Sequence, residues 1–177
     1  LIIVGLLCVL FAFLYTTGPY PLSYNGWGDV LVIVFFGFVP VGGTYYVQAL
    51  TWTSDTTVAS LICGLLIDTL LVVNNYRDRE ADARSGKRTV IVRFGEKFGR
   101  YLYLMLGVAA SLLCFWFFFE GHLFAALLPL LYLIPHVLTW RRMVQIHSGK
   151  KLNSILGETS RNMLFFGLLL SAALMQA

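Results

Sequence analysis

The sequence predicts an all-α integral membrane protein of about six transmembrane helices, the first of them truncated. Three observations predict it: an apolar, charge-poor composition, apolar runs near bilayer length, and the confinement of every base to two loops. Of the 177 residues 58% are hydrophobic and 12% are charged, with a mean hydropathy of +0.76. Soluble domains carry about 25% charged residues, so lipid rather than water is the solvent this composition fits.

The runs follow in order: Leu1 to Leu14, Val30 to Trp52, Val58 to Val73, Tyr101 to Phe119, His122 to Trp140 and Met163 to Ala177. A spanning helix needs about 20 residues, with a range of roughly 17–25. The middle four fit once their flanks are included, and the last fits if its helix begins near Thr159. The first is too short, and it does not read as a signal peptide. The expectation is a single domain over 1–177 that starts partway through a helix of a longer protein.

Breaks are few. "TTGPYPLSYNGWGD" is rich in Gly, Pro and aromatic residues and predicts an interfacial loop. "GFVPVGG" puts Pro40, Gly42 and Gly43 inside the second span, a break tolerated where backbone packs on protein or lines a cavity. Pro129 and Pro135 are expected to kink the fifth span. In "HSGKKLNSILGETS" the chain is expected to re-enter helix near Ser154 or Thr159, both plausible caps.

All thirteen Lys and Arg residues lie between Arg77 and Arg100 or between Arg141 and Arg161. Two spans separate these regions, so both face one side, and the positive-inside rule makes that side cytoplasmic. Both termini then fall outside. The net charge of +4 reads as topology, and nucleic acid is not indicated. Cys8, Cys63 and Cys114 each stand alone in an apolar run, with neither metal-ligand spacing nor a disulfide framework.

One stretch does not fit a passive bundle. "NNYRDREADARSGKRT", Asn74 to Thr89, holds three acids and five bases directly after an apolar run. If the third span continues as helix past the membrane surface, Asn74, Asp78 and Asp82 recur every four residues. They then drift by only about 40° per step and line one stripe. Two carboxylates beside an amide suit Mg²⁺, which takes one or two protein carboxylates and leaves its other positions to water and phosphate. Gly86 permits a turn, after which Lys87 and Arg88 supply cations. Metal plus cations is an arrangement that binds a diphosphate. It is not a P-loop, because Ala81 stands where the first glycine would be. The plainer readings are a solvated helix with internal ion pairs, or contact with anionic lipid headgroups.

"NNYRDREADARSGKRTVIVRFG" resembles the second aspartate-rich motif of the UbiA superfamily of intramembrane prenyltransferases. Its N-N-x-R-D-x-x-x-D-x-x-x-G-K-R-T form is most like the branch acting on 1,4-dihydroxy-2-naphthoate in menaquinone biosynthesis. "YTTGPYPLSY", "GTYYVQ" and "LNSILGETSRNMLFFGLLLS" agree in order, so the resemblance covers essentially the whole chain. It implies the later part, about two-thirds, of a nine-helix bundle in the bacterial inner membrane. It also implies Mg²⁺ held by Asp78 and Asp82 with Asn74 in support, and a polyprenyl diphosphate held by Lys87 and Arg88 with help from Arg77. The implied reaction is transfer of the polyprenyl group to the naphthoate with loss of its carboxyl, giving demethylmenaquinol. Nothing before Tyr15 resembles the first aspartate-rich motif, N-D-x-x-D. The chain alone is therefore expected to be inactive without the N-terminal helices of the same protein.

Tyr15, Tyr45, Tyr46 and Gln48 are weaker candidates for the acceptor pocket, since tyrosine at an interface is commonly an anchor. Asp68, inside "LLIDTLLVV", is a costly intramembrane carboxylate that by default suggests a functional, cavity-facing group. It has no place among the motif ligands; bonding to Thr69, protonation or an acceptor-pocket role stay open. His122 reads as interfacial, and His136 as a packed polar residue with one hydrogen bond. Other readings are a related prenyltransferase using hydroxybenzoate, homogentisate or haem, a transporter using Asp68, or a non-catalytic membrane partner.

Overall fold

A computed structural model describes residues 1–176, which form helices and turns and no strand among those residues. Joined where segments run on, the helices are α1 (Ile2–Thr16), α2 (Gly28–Ala49), α3 (Ser54–Arg84), α4 (Val90–Phe94), α5 (Glu96–Phe119), α6 (Leu123–Ile146) and α7 (Asn153–Leu174). Short 3₁₀ turns sit at Leu22–Asn25 and Lys150–Leu152.

Four of these, α2, α3, α5 and α6, are long and apolar enough to cross a membrane. The two end helices fall short for different reasons. Helix α1 is apolar but has 15 residues. Helix α7 has 22, yet its first half carries Asn153, Glu158, Arg161 and Asn162.

Helix α3 is the axis of the bundle: half of its apolar window is buried, against 17% for α2. Thr53 caps it, its hydroxyl accepting the Thr56 N–H at 3.1 Å, and Asp55 lies in the first turn, where the helix dipole favours an acid. The helix has 31 residues, or about 46 Å at 1.5 Å per residue. The hydrocarbon core is about 30 Å thick. Ser54 to Val73 accounts for that thickness, so Asn74 to Arg84 projects beyond it as helix.

The glycine–proline stretch of α2 does not break the helix. Residues Ile33–Gly42 form a π-helix with Pro40 inside it, whose wider turns absorb the missing N–H of proline. At its centre Gly37 lies against Gly64 of α3 with no side chain between them. In α6 Pro129 opens the 3₁₀ segment Leu128–Tyr132, a local distortion of the span, while Pro135 sits in the first turn of Leu133–Ile146, where a proline is tolerated. Helix α7 starts at Asn153 without a side-chain cap. Ser154 donates to the Lys151 carbonyl instead, and Thr159 is buried against Tyr103.

Two core clusters stack along α3. One gathers Ile62, Leu66, Phe117, Tyr132 and Phe166. The other, toward the projecting end, gathers Val72, Tyr76, Tyr103, Met143 and Ile155. Between them lies a polar knot. His136 is stacked between Tyr103 and Tyr132, bonds the Tyr132 hydroxyl through Nδ1 at 2.9 Å, and reaches the Leu104 carbonyl through Nε2 at 3.2 Å. It thus makes two hydrogen bonds where one was expected, and its neutral form meets both: Nε2–H donates and Nδ1 accepts. A Cβ at Gly107 would stand 2.3 Å from His136 Nε2. Gly107→Ala is therefore expected to destabilise the bundle by about 1–3 kcal/mol, the usual range for overpacking. A lowered unfolding midpoint in detergent would show it, and an unchanged one would mean the ring can tilt away.

Candidate functional site

The projecting end of α3 gathers the acid–base cluster. Of its stripe, Asn74–Asp78–Asp82, the first two members are tied together by Arg77. That guanidinium donates to both Asp78 oxygens (Nε to Oδ1 2.7 Å, Nη2 to Oδ2 2.6 Å) and to Asn74 Oδ1 at 2.7 Å. Its remaining nitrogen reaches Asn153 Oδ1 at 3.0 Å, fixing the stripe to the start of α7. Arg77 holds the Asp78 carboxyl below the usual carboxylate range, by hydrogen bonding first and charge second. Asp78 lies past Val73, outside the apolar part of α3. Its folded pKa is the lower one, so the pair's stabilisation is present above pH about 4 and is lost as pH falls through the folded value.

Asp82 differs. It is buried, and its Oδ2 has no hydrogen-bond partner. Lys87 Nζ stands 3.4 Å away as an ion pair without hydrogen-bond alignment. A turn at Gly86, with φ of +78°, brings Lys87 back so that its N–H donates to the Asp82 carbonyl at 2.9 Å. Arg88 is exposed, and its backbone N–H donates to the Tyr24 carbonyl at 2.8 Å. Arg93 donates to the Asn25 carbonyl at 2.7 Å. The loop between α1 and α2 is thereby seated on the turn that follows α3.

Glu96, at the start of α5, braces the opposite face of α3. It accepts from the Tyr76 hydroxyl at 3.2 Å and from Arg79 at 3.3 Å, pairs with Arg100, and lies 3.0 Å from His147 Nε2. The Arg77–Asn153 and Glu96–His147 contacts bring the two basic loops to one face of the molecule. Glu96→Gln leaves three bases without their shared acid. It is expected to cost about 1–2 kcal/mol, read as a lower unfolding midpoint in detergent.

The weaker candidates scatter. Tyr15 lies beside an apolar groove of about 560 Å³ between α1, α2 and α3, lined also by Cys8, Phe11, Phe35 and Leu71. Tyr45, Tyr46 and Gln48 are exposed at the far end of α2, roughly 25 Å along the axis from Gly28. Gln48 donates to the Thr44 carbonyl of its own helix at 3.0 Å, so the structure does not bring them to the cluster. Asp68 is 1% exposed and its Oδ1 has no partner. Thr69 donates instead to the Leu66 carbonyl. Asp29, on α2, carries a second buried oxygen without a partner.

Sequence reasoning missed Asn153, Glu96 and Asp29. Glu96 and Arg100 stand four apart and signalled an ion pair. Nothing local signals that Asn153 meets Arg77 from 76 residues away.

Asn74, Asp78 and Asp82 place two carboxylates and an amide along one stripe of α3. Among the described residues no group of three or more His, Cys, Asp or Glu side chains is placed to hold a metal. The unpartnered Asp82 oxygen suits a divalent ion whose other ligands are phosphate oxygens and water, whereas Arg77 would have to turn away before Asn74 and Asp78 could join it.

A bundle of helices, four of them long and apolar enough to cross a membrane, with an acid–base cluster at one end, defines a multi-pass membrane protein. The sequence profile of the UbiA prenyltransferase family matches residues 1–169, and the chain belongs to that family. It is 42% identical over 135 residues to the 1,4-dihydroxy-2-naphthoate octaprenyltransferase of Haemophilus influenzae, covering 72% of this chain and 43% of that protein. It is 44% identical over 115 residues to the enzyme of the same name from Mycobacterium tuberculosis, covering 65% of this chain and 39% of that protein. The UbiA prenyltransferase domain-containing protein 1 of Dictyostelium discoideum is 30% identical over 153 residues, 86% of this chain and 45% of that protein. The chain thus spans less than half the length of the curated relatives it matches. No solved structure matches it significantly.

Proposed function

We propose that this chain is the later part of a nine-helix aromatic prenyltransferase of the bacterial inner membrane, with its basic loops cytoplasmic. Its reaction is transfer of a polyprenyl group from polyprenyl diphosphate to 1,4-dihydroxy-2-naphthoate, with decarboxylation, in menaquinone biosynthesis. The observation that carries this is the Asn74–Asp78–Asp82 stripe on a helix that outruns the bilayer, with Lys87 folded back onto it. The relatives from Haemophilus influenzae and Mycobacterium tuberculosis, both 1,4-dihydroxy-2-naphthoate octaprenyltransferases, support the acceptor.

Asp78, Asp82 and Asn74 would hold Mg²⁺, and Lys87, Arg88 and Arg77 the diphosphate. When bound, the ion offsets charge on the diphosphate oxygens. Lys87 and Arg88 stabilise the charge that develops as the allylic C–O bond breaks, a contribution that grows toward the transition state. The allylic carbon is then attacked by the electron-rich naphthoate ring, and the ring loses its carboxyl group. No covalent enzyme intermediate is required. Placing the cluster at the membrane face lets the diphosphate stay in water while its tail stays among helices or lipid.

The half-site also implies that the 177-residue chain needs an aspartate-rich partner segment from the N-terminal helices for turnover. An acceptor panel in membranes holding the full-length protein tests the reading. Naphthoate is expected to be prenylated, and hydroxybenzoate and homogentisate left unreacted. Prenylation of hydroxybenzoate in preference would overturn the acceptor assignment. The buried, unpartnered Asp68 favours ion-coupled transport as the second reading. Proton or ion flux abolished by Asp68→Asn and indifferent to Asp78→Asn would establish it in place of the first.

A further inference from the structure

We propose that the groove between α6 and α7 is a binding site for an anionic phospholipid. Its volume is about 400 Å³, and its lining includes Leu138, Arg141, Arg142, Gln145, Glu158 and Arg161. Arg142 is committed to Glu158 at 2.5 Å, whereas Arg141 and Arg161 make no ion pair among the described residues. Three arginines against one glutamate leave a charge of +2 in the groove.

A second feature, apolar and independent of that charge, begins at Leu138 in the groove and continues beyond it along both helices. On α6, Ile134, Leu138, Arg141 and Gln145 fall at i, i+4, i+7 and i+11, one narrow stripe. On α7, Arg161, Phe165 and Leu168 fall at i, i+4 and i+7. Ile134 is 64% exposed, Leu138 54% and Leu168 61%. Each stripe therefore runs from exposed apolar side chains in the bilayer to arginine at its surface. A ligand matching both walls has a phosphate head at the arginines and acyl chains along the stripes.

A prenyl diphosphate shares that general chemistry, but the groove suits it less well. It offers no pair of carboxylates to hold a metal-bridged diphosphate, since its one acid is neutralised by Arg142. Ile134, Leu138 and Leu168 lie on exposed, outward faces of their helices, the faces a bilayer lipid can reach. Bound there, the lipid would clamp α7 against α6. Glu158 continues that clamp inward, accepting from Thr139 at 3.4 Å, while Asn162 donates to Thr139 at 2.9 Å.

Titration of the purified protein in neutral detergent with phosphatidylglycerol or phosphatidylcholine of matched chains, followed by native mass spectrometry, tests this without any activity readout. Wild type is expected to retain phosphatidylglycerol selectively. Each basic residue contributes roughly fivefold near an anionic headgroup, so R141Q/R161Q is expected to lose about thirtyfold in affinity. The control K150Q/K151Q removes equal charge from the same face outside the groove and is expected to bind as wild type. All four residues are exposed, so folding is not at stake. Equal loss in both double variants would reduce the effect to diffuse surface charge and overturn the site. Equal retention of the two lipids would do the same. Displacement of phosphatidylglycerol by an equimolar prenyl diphosphate would make the groove a donor site instead.

Discussion

Gly37→Ala is expected to destabilise the bundle by about 3 kcal/mol or more, the upper end of what overpacking costs. A Cβ there would lie 2.5 Å from the Ser60 carbonyl oxygen and 2.8 Å from the Gly64 Cα. Both obstacles are backbone of α3, so no side chain can swing away. Relief would require α2 and α3 to separate, and this is among the most extensive helix contacts in the molecule. In the membrane such a crossing is held by close packing rather than by water, which is why small residues occupy it. Alanine's better helix propensity returns only about 1 kcal/mol. Gly43→Ala supplies the control: it lies on the same helix with nothing within 4 Å of its would-be Cβ, and only the propensity gain should appear. Unfolding midpoints of the two variants in one detergent decide the matter. If Gly37→Ala were as stable as Gly43→Ala, the tight α2–α3 crossing would be wrong.

How much of this was legible in the sequence varies with the range of the interaction. Apolar runs reported the spanning helices because burial in lipid is read residue by residue. The extension of α3 past Val73 was legible as well, since polar residues at four-residue spacing point one way only if the helix continues. The π-helical course of α2 was not. Proline and glycine announce a disturbed backbone, but whether it breaks or widens depends on what packs against it, here Ser60 and Gly64. The distance of Tyr45 and Gln48, weak candidates for the acceptor pocket, from the cluster was not legible for a similar reason. They precede it in the sequence, and α2 carries them to the end away from Gly28. The Asp78 environment was half legible: the carboxylate stripe was, and the Arg77 fork that closes it onto Asn153 was not. Proximity of α7 to α3 is a tertiary fact with no local signature.

Asp78→Asn and Asp82→Asn are each expected to lower prenyl transfer by the full-length protein about 10²–10³-fold, the size of losing one electrostatic contact to developing charge. Their effects on stability are expected to differ in sign, and this separates a functional acid from a structural one. Asp78 is bonded at both oxygens by Arg77, so its amide variant forfeits a charge-assisted pair and is expected to be slightly less stable. The side chain is 38% exposed, and the solvent there limits that loss. Asp82 carries a buried oxygen that no group satisfies, with Lys87 at 3.4 Å as partial compensation. Burying an unsatisfied carboxylate is costly, and neutralising it relieves that cost, while Lys87, 23% exposed, can turn to solvent once its partner is gone. Asp82→Asn should therefore unfold at the same or a higher temperature than wild type while transfer collapses. A destabilised protein that still transfers the prenyl group would reverse both signs, and would make Asp82 a structural partner of Lys87 rather than a ligand of the diphosphate-bound cation.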